Sequence, residues 1–166
     1  MSDLALPASS PLTGSTRKKR RLLTLTDGSG ATVAEARLGK EATPAAAIFA
    51  IAGGEHRIER TDRAEYTVTG PSGEHVAVYR KKALTLADGE VLEWHSSGFA
   101  GTRFRLGENL WVAKPRWPPP LRGFRAEVSP AFLAREDRAL IAALAGILTQ
   151  WGIETEAAME QIGSGG

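Results

Sequence analysis

The chain has 166 residues, of which 42% are hydrophobic and 24% are charged, so it is long enough to bury a core within one domain. It contains no cysteine, which excludes disulfides, thiol nucleophiles and thiolate metal sites. The formal net charge of +2 is uneven, because residues 1–21 carry +4 and the remaining 145 residues carry −2. A nearly neutral remainder argues against the basic domain face that specific nucleic-acid binding needs.

The N-terminal segment has the composition of a disordered arm. Residues 1–16 are rich in Ser, Thr, Pro and Leu without hydrophobic periodicity, and no secretory signal is readable in them. We predict a disordered arm over residues 1–18 with a basic end, and the start of the folded domain at residue 19. The basic cluster at this boundary is formed by Arg17, Lys18, Lys19, Arg20 and Arg21.

Short strand-like segments follow, separated by clusters of Gly, Asp, Asn, Ser and Pro. Tight hairpins need such residues at their turns, so the pattern predicts about eleven antiparallel strands joined in sequence order. The expected turns fall at residues 27–30, 53–54, 70–73, 88–89 and 107–109.

Apolar residues occupy every second position within these segments, which predicts strands with one buried and one exposed face. The residue pairs expected to face the core are Leu23 with Leu25, Tyr66 with Val68, Val76 with Val78, Leu84 with Leu86, Leu92 with Trp94, Phe104 with Leu106, and Phe124 with Val128.

The C-terminal region contains an uninterrupted apolar run at residues 139–148, ALIAALAGIL. A helix that is apolar on all sides must be buried, and this run is too short to span a bilayer. We predict a core helix at about residues 134–151, entered at Ser129-Pro130 and ended by Gly152. Residues 153–166 are expected to form a flexible acidic and glycine-rich tail.

A helix of about 15 residues is roughly 20–25 Å long, which matches the height of a barrel of short strands. The helix therefore fits best inside the barrel. A lipocalin or a pleckstrin-like domain also ends in a helix, but that helix packs outside its barrel and is amphipathic, unlike residues 139–148.

A meander of about a dozen short strands followed by Asp137 to Leu148, DRALIAALAGIL, resembles the tubby C-terminal-like superfamily, particularly its LURP-one-related and phospholipid-scramblase-like branches. The resemblance covers residues 20–152. It implies a mainly β fold, a closed antiparallel β-barrel of about twelve strands enclosing a hydrophobic C-terminal α-helix, at residues 19–152. It also implies lipid recognition, of phosphoinositides in tubby domains, or tethering of partners to membranes. The chain has no cysteine cluster for palmitoylation and no acidic calcium loop, so lipid scrambling is not expected.

Motifs for catalysis and for metal binding are missing from the sequence. His56, His75 and His95 lie about 20 residues apart without the spacing of a zinc motif. The sequence also lacks a nucleophile elbow and a complete phosphate-binding loop. We therefore predict no enzyme, no metal and no cofactor.

Two groups of basic residues are candidate binding sites. Arg80, Lys81 and Lys82 lie at an expected strand turn, and together with the cluster at residues 17–21 they are predicted to form a basic rim for anionic lipid headgroups. The alternatives are that residues 17–21 form a solubilising tail and that residues 80–82 guard a strand end.

The segment around Trp117 is a third candidate. Lys114, Arg116 and Trp117 lead into a run of three prolines, a composition that suits a membrane-interface loop or a partner-binding loop. The alternative is a stiff connection between two strands.

The leading hypothesis is a non-enzymatic lipid-binding or membrane-tethering module that recognises anionic phospholipid headgroups through its basic rim. Such a protein is expected in the cytoplasm, peripheral at the membrane. The alternative is a soluble interaction scaffold that binds a protein partner through the Trp/Pro loop or the tails.

Overall fold

The computed structural model describes residues 10–17, 21–38, 46–51, 54–62, 65–97, 103–116 and 123–164, with the backbone alone at residues 17, 62, 97 and 156–164. These residues form β1 (Leu12–Arg17), β2 (Leu22–Thr26), β3 (Thr32–Leu38), β4 (Ala46–Ile51), β5 (Gly54–Asp62), β6 (Glu65–Thr69), β7 (His75–Arg80), β8 (Ala83–Leu86), β9 (Val91–Ser97), β10 (Arg103–Leu106), β11 (Trp111–Pro115), β12 (Phe124–Val128), α1 (Pro130–Leu133) and α2 (Arg138–Ser164).

The sheet is a closed up-and-down barrel. Each strand pairs antiparallel with its neighbours in sequence, and β1 also pairs with β12, where Thr13 lies opposite Arg125. The predicted closed antiparallel barrel of about twelve strands around a C-terminal helix is confirmed. Closure pairs both edges of the sheet that the described strands form.

The core-facing positions follow the predicted alternation in most strands. Leu23 and Leu25, for example, are 3% and 1% exposed. In β7, however, Ala77 is completely buried while Val76 and Val78 are only partly buried. The register explains this, because directly opposite residues share a face and the buried Val68 lies opposite Ala77. The prediction is therefore wrong for Val78, which faces outward, whereas Val76, beside a register shift, is partly buried and packs against the core.

Helix α2 fills the barrel. Residues 141–151 are all buried, as an apolar helix within a sheet requires. Its one buried hydroxyl near the wall is satisfied on both sides: Trp111 Nε1 donates to Thr149 Oγ1 at 3.2 Å, and Thr149 Oγ1 donates to the Ala145 carbonyl at 2.7 Å. These two hydrogen bonds satisfy the Thr149 hydroxyl and the Trp111 indole and hold the helix in register with β11.

The start of the helix differs from the prediction. The expected entry at Ser129-Pro130 is real, since Ser129 Oγ accepts a hydrogen bond from the Phe132 backbone N–H at 3.2 Å and Pro130 is the first helical residue. It opens the separate one-turn helix α1, however, and α2 begins only at Arg138.

The end of the helix also differs, because Gly152 lies inside α2. A Cβ atom at Gly152 would lie 2.4 Å from Cε1 of the buried Phe104 ring. Glycine is needed here for close packing and not to end the helix. Ile153 and Glu154 are 2% and 3% exposed, so the prediction of a flexible tail starting at residue 153 is wrong at these two positions.

Strand β1 lies within the segment predicted to be a disordered arm, and that prediction is wrong for residues 12–17. The strand closes the barrel between β2 and β12. Leu12 is fully buried, and a Cβ atom at Gly14 would lie 2.3 Å from the Phe124 ring. The inward face of β1 thus consists of Leu12 and then Gly14, which leaves room for the Phe124 ring. Because Gly14 is not apolar, the sequence of β1 shows no apolar alternation.

Candidate functional site

The strand order assigns every connection to one of two ends of the barrel, because successive connections of an up-and-down barrel alternate between ends. The β1–β2, β7–β8 and β11–β12 connections share one end, and the β2–β3, β8–β9 and β10–β11 connections share the other. Helix α2 starts at the second end, directly after β12, and runs towards the first.

The two ends differ in charge. We call the first the basic end, since the ionisable residues in its described connections are Arg21, Lys81, Lys82 and Arg116. We call the second the acidic end, since its described connections contain a single basic residue, Arg135, beside Asp27, Glu74, Asp88, Glu90, Glu108, Glu136 and Asp137.

The orientation of α2 matches this charge separation. The N-terminus of a helix carries a partial positive charge and the C-terminus a partial negative charge. The N-terminus of α2 lies at the acidic end, where it faces compensating charge, and the helix runs from there towards the basic end. The charge separation along the barrel axis therefore does not oppose the dipole of α2.

Lys81 and Lys82 form the two-residue turn between β7 and β8, and Arg80 and Ala83 pair across it. Both lysines have positive φ, 51° and 59°, as a type I′ hairpin turn requires. Asn and Gly usually occupy such positions, because a side chain with a Cβ atom is strained there by about 1 kcal/mol. Both side chains are exposed. The turn therefore keeps two ammonium groups at the rim, although Asn and Gly would be more stable in these backbone conformations.

Arg80, the third predicted residue of this group, is also exposed. Its side chain is 61% exposed, and its Nε lies 3.8 Å from Glu65 Oε2, a surface ion pair that contributes little energy. All three predicted residues of this group are therefore exposed at the basic end.

The basic cluster at residues 17–21 is a strand connection and not the end of an arm. Arg17 is the last residue of β1 and Arg21 directly precedes β2, while Lys18, Lys19 and Arg20 lie outside the described residues. Arg21 also has positive φ, 51°. Its guanidinium donates to both carboxylate oxygens of Glu154, Nη2 to Oε2 at 3.0 Å, so the connection is fixed to α2.

The two predicted lipid-binding groups share the basic end but lie on opposite sides of it. Six strands separate the β1–β2 connection from the β7–β8 turn in either direction around the twelve-stranded barrel. Strand spacing and tilt give such a barrel a diameter of about 20 Å. The basic groups therefore bracket the mouth through which α2 leaves the barrel.

The third predicted group is divided by the structure. Lys114 is exposed on the outer wall of β11, directly opposite Arg125 of β12, and like charges so placed repel each other. Arg116 is exposed at the basic end, where its backbone N–H donates to the Gly123 carbonyl at 2.9 Å. Trp117 lies outside the described residues.

At the acidic end, Arg135 links the segment between α1 and α2 to the β8–β9 turn. Its guanidinium donates to both oxygens of Glu90, at 3.0 and 2.6 Å, and to Asp137 at 2.8 Å. The hydrogen bond from Arg135 lowers the pKa of Glu90, and Glu90 and Asp137 together raise the pKa of Arg135. These groups satisfy one another and secure the base of α2.

The three histidines do not meet. His56 is buried against Phe49 with ring centroids 5.1 Å apart, His75 is exposed at the start of β7, and His95 lies 3.3 Å from Glu93 on the outer wall. Within the described part of the chain, no group of three or more His, Asp or Glu side chains could hold a metal ion.

Sequence reasoning missed two features of the site. Glu154 was assigned to a flexible tail, although it neutralises Arg21 inside the mouth. The charge separation was also missed, although the sequence carries a signal for it. Basic and acidic connections alternate along the chain, with residues 17–21 before Asp27 and residues 80–82 before Asp88. Such alternation predicts oppositely charged ends once an up-and-down barrel is assumed.

No family model, no curated protein and no solved structure matches this chain. The resemblance to the tubby C-terminal-like superfamily therefore stays a prediction from the sequence. Among the helices in the described residues, none is long and apolar enough to cross a membrane.

Proposed function

We propose that this barrel is a non-enzymatic module that binds anionic phospholipid headgroups through its basic end, as a peripheral protein on a cytoplasmic membrane surface. The observation that carries the proposal is the Lys81-Lys82 turn, in which two exposed lysines occupy left-handed backbone positions at the rim. Unfavourable backbone conformations persist where function requires them, and an observed outlier of this kind supports a functional hypothesis.

The charge separation favours one orientation on a membrane. An anionic surface attracts the end that carries Lys81, Lys82 and Arg116 and repels the acidic end, so the barrel axis is expected to stand upright on the bilayer. Both sides of the mouth can then approach headgroups together, since the β1–β2 connection and the lysine turn lie across from each other.

The filled interior supports binding at the rim. Residues 141–151 of α2 occupy the space that a lipid chain would take in a hollow barrel. The proposed contact is therefore with headgroups, through charge, and is expected to weaken with salt.

Sedimentation with vesicles tests the proposal. Vesicles of phosphatidylcholine with and without phosphatidylserine are compared at low and physiological salt. The double variant Lys81→Asn/Lys82→Gly gives the turn residues that a type I′ hairpin prefers, so it should fold at least as stably as the wild type. It removes two charges, each worth about 1 kcal/mol near an anionic surface, so binding to phosphatidylserine vesicles should weaken about 30-fold.

The matched control removes the same charge from the barrel wall. Arg57 and Arg125 are 54% and 62% exposed on the outer faces of β5 and β12, and Arg57→Gln/Arg125→Gln should change binding much less. Equal losses in both double variants would show an effect of net charge alone. Wild-type protein that binds neither vesicle at either salt would refute the proposal and favour a protein partner for the Trp117 segment.

A further inference from the structure

Helix α2 is longer than the barrel that encloses it. Glu154 is buried and Thr155 is exposed, while the helical backbone continues to Ser164. Ten residues at 1.5 Å each extend about 15 Å beyond the buried part. Since α2 runs from the acidic to the basic end, this extension, residues 155–164, leaves the barrel through the basic mouth and projects from the face proposed to meet the membrane.

The extension is acidic, whereas the end of the barrel from which it projects is basic. Its sequence, TEAAMEQIGS, contains Glu156 and Glu160 and no basic residue. The helical backbone places these positions about 3 and 9 Å beyond Glu154 along the axis. The Debye length at physiological ionic strength is about 8 Å, so the charge of Glu156 acts on the rim, and the charge of Glu160 acts on headgroups that approach the rim.

An acidic residue of α2 already contacts a basic residue directly before this extension. Glu154, on the same helix, binds Arg21 of the β1–β2 connection through both carboxylate oxygens. Arg21 is 22% exposed at its side chain and is thus partly withdrawn from solvent by an acidic residue of α2. Neutralisation of the basic end by α2 therefore begins inside the mouth.

We propose that residues 155–164 form an autoinhibitory element, which lowers the affinity of the basic end for anionic membranes through the negative charge of Glu156 and Glu160. This inference rests on the proposed function. Neutralising the two glutamates should strengthen binding, and any event that removes or covers their charge should switch the module towards the membrane.

The test uses the full chain with Glu156→Gln/Glu160→Gln, since Gln supports a helix about as well as Glu. Binding to phosphatidylserine vesicles at physiological salt should become about tenfold tighter. The charge-reversed variant Glu156→Lys/Glu160→Lys should bind more tightly still. The matched control is Glu108→Gln/Glu136→Gln, which makes the same charge change with two exposed residues at the acidic end and should leave binding nearly unchanged.

The outcomes separate this inference from the proposed function. Salt-sensitive binding by the wild type that does not change in either Glu156/Glu160 variant overturns the inference and leaves the function standing. An equal gain in the control overturns it as well, because position would then not matter. Weaker binding by the Gln variant would show that the extension contributes to membrane contact and would also overturn autoinhibition. Absence of binding in all variants would overturn both proposals.

Discussion

Two glycines of α2, six residues apart, should respond in opposite ways to the same substitution. Gly146 and Gly152 both lie inside the helix and within the barrel. Alanine at an interior helical position is favoured over glycine by about 1 kcal/mol. The sign of each change is then decided by the space available for one methyl group.

Gly146→Ala is expected to stabilise the protein. Its new Cβ would lie 3.6 Å from the Phe124 ring and 3.7 Å from Leu25, which are ordinary van der Waals contacts. It would also border a cavity of about 10 Å³ between the helix and strands β2 and β3. Helix propensity and the buried methyl together give about 1.5 kcal/mol, or a rise in Tm of about 3–6 °C for a chain of this size.

Gly152→Ala is expected to destabilise the protein. The new Cβ would lie 2.4 Å from Phe104 Cε1, well inside contact distance. The Phe104 ring is 1% exposed and stacks on Trp94 with centroids 6.0 Å apart, so it has no free direction in which to move. Overpacking of this kind costs about 1–3 kcal/mol, which exceeds the gain in helix propensity. The net loss should be up to about 2 kcal/mol.

Urea unfolding of both variants, fitted with a common m-value, measures the two changes in the free energy of unfolding, and calorimetry measures the two changes in Tm. The double variant Gly152→Ala/Phe104→Leu should recover part of the loss, because it removes the ring that the methyl meets. A gain in stability for Gly152→Ala comparable to that of Gly146→Ala would refute the packing argument, since it would mean that propensity alone decides both positions.

Three further substitutions test the ends and the core of the barrel. Glu90→Gln should lower the free energy of unfolding at neutral pH by less than about 1 kcal/mol and reduce the acid sensitivity of Tm. Arg135 lowers the pKa of Glu90, so the stabilisation from the Glu90 carboxylate is complete above the ordinary value of 4.5 and is lost as the pH falls below it. Calorimetry across that range checks this, and an unchanged acid limb would contradict it. Glu154→Gln should cost about 3 kcal/mol because it leaves Arg21 without its buried counter-charge, and the double variant with Leu at both positions should regain most of the loss in urea unfolding. Thr149→Val removes the acceptor of a buried indole N–H and should cost about 1–2 kcal/mol with an altered tryptophan fluorescence maximum; no change in either would mean that the hydrogen bond is absent.

The barrel could be predicted because its signals are local. The hairpins with turns at residues 27–30, 70–73, 88–89 and 107–109 place glycine or a small polar residue at the turn, and apolar residues alternate in most of the strands. The apolar run at 139–148 then has one economical location, inside the sheet. These features depend on chain neighbours alone, so one sequence is enough to read them.

The missed features depend on distant residues. Strand β1 was missed because its inward face uses Gly14, whose role is to make room for Phe124, more than 100 residues later. Gly152 has the sequence signature of a helix end, and only the position of Phe104 shows its other role. The faces of β7 were assigned wrongly because Val76 to Tyr79 are apolar on both sides and only pairing with β6 separates them.

The candidate site was predicted in composition but not in arrangement. The sequence identifies basic residues at two turns, whereas the strand count places Arg21 and the Lys81-Lys82 turn at one end and on opposite sides. The positive φ of these lysines could not be read from the sequence, since lysine is uncommon in the left-handed region.

Pairing of β1 with β12 closes the barrel around a helix that follows all twelve strands in the sequence. During synthesis, strands leave the ribosome before the segment that fills their interior, so a barrel closed early would line an empty cavity with apolar side chains. The wall and its contents must therefore assemble together once residues 138–154 are made, which places the committed folding step after the synthesis of all twelve strands. Until then the nascent strands have unpaired edges, and the protein is expected to need protection from aggregation during its own synthesis.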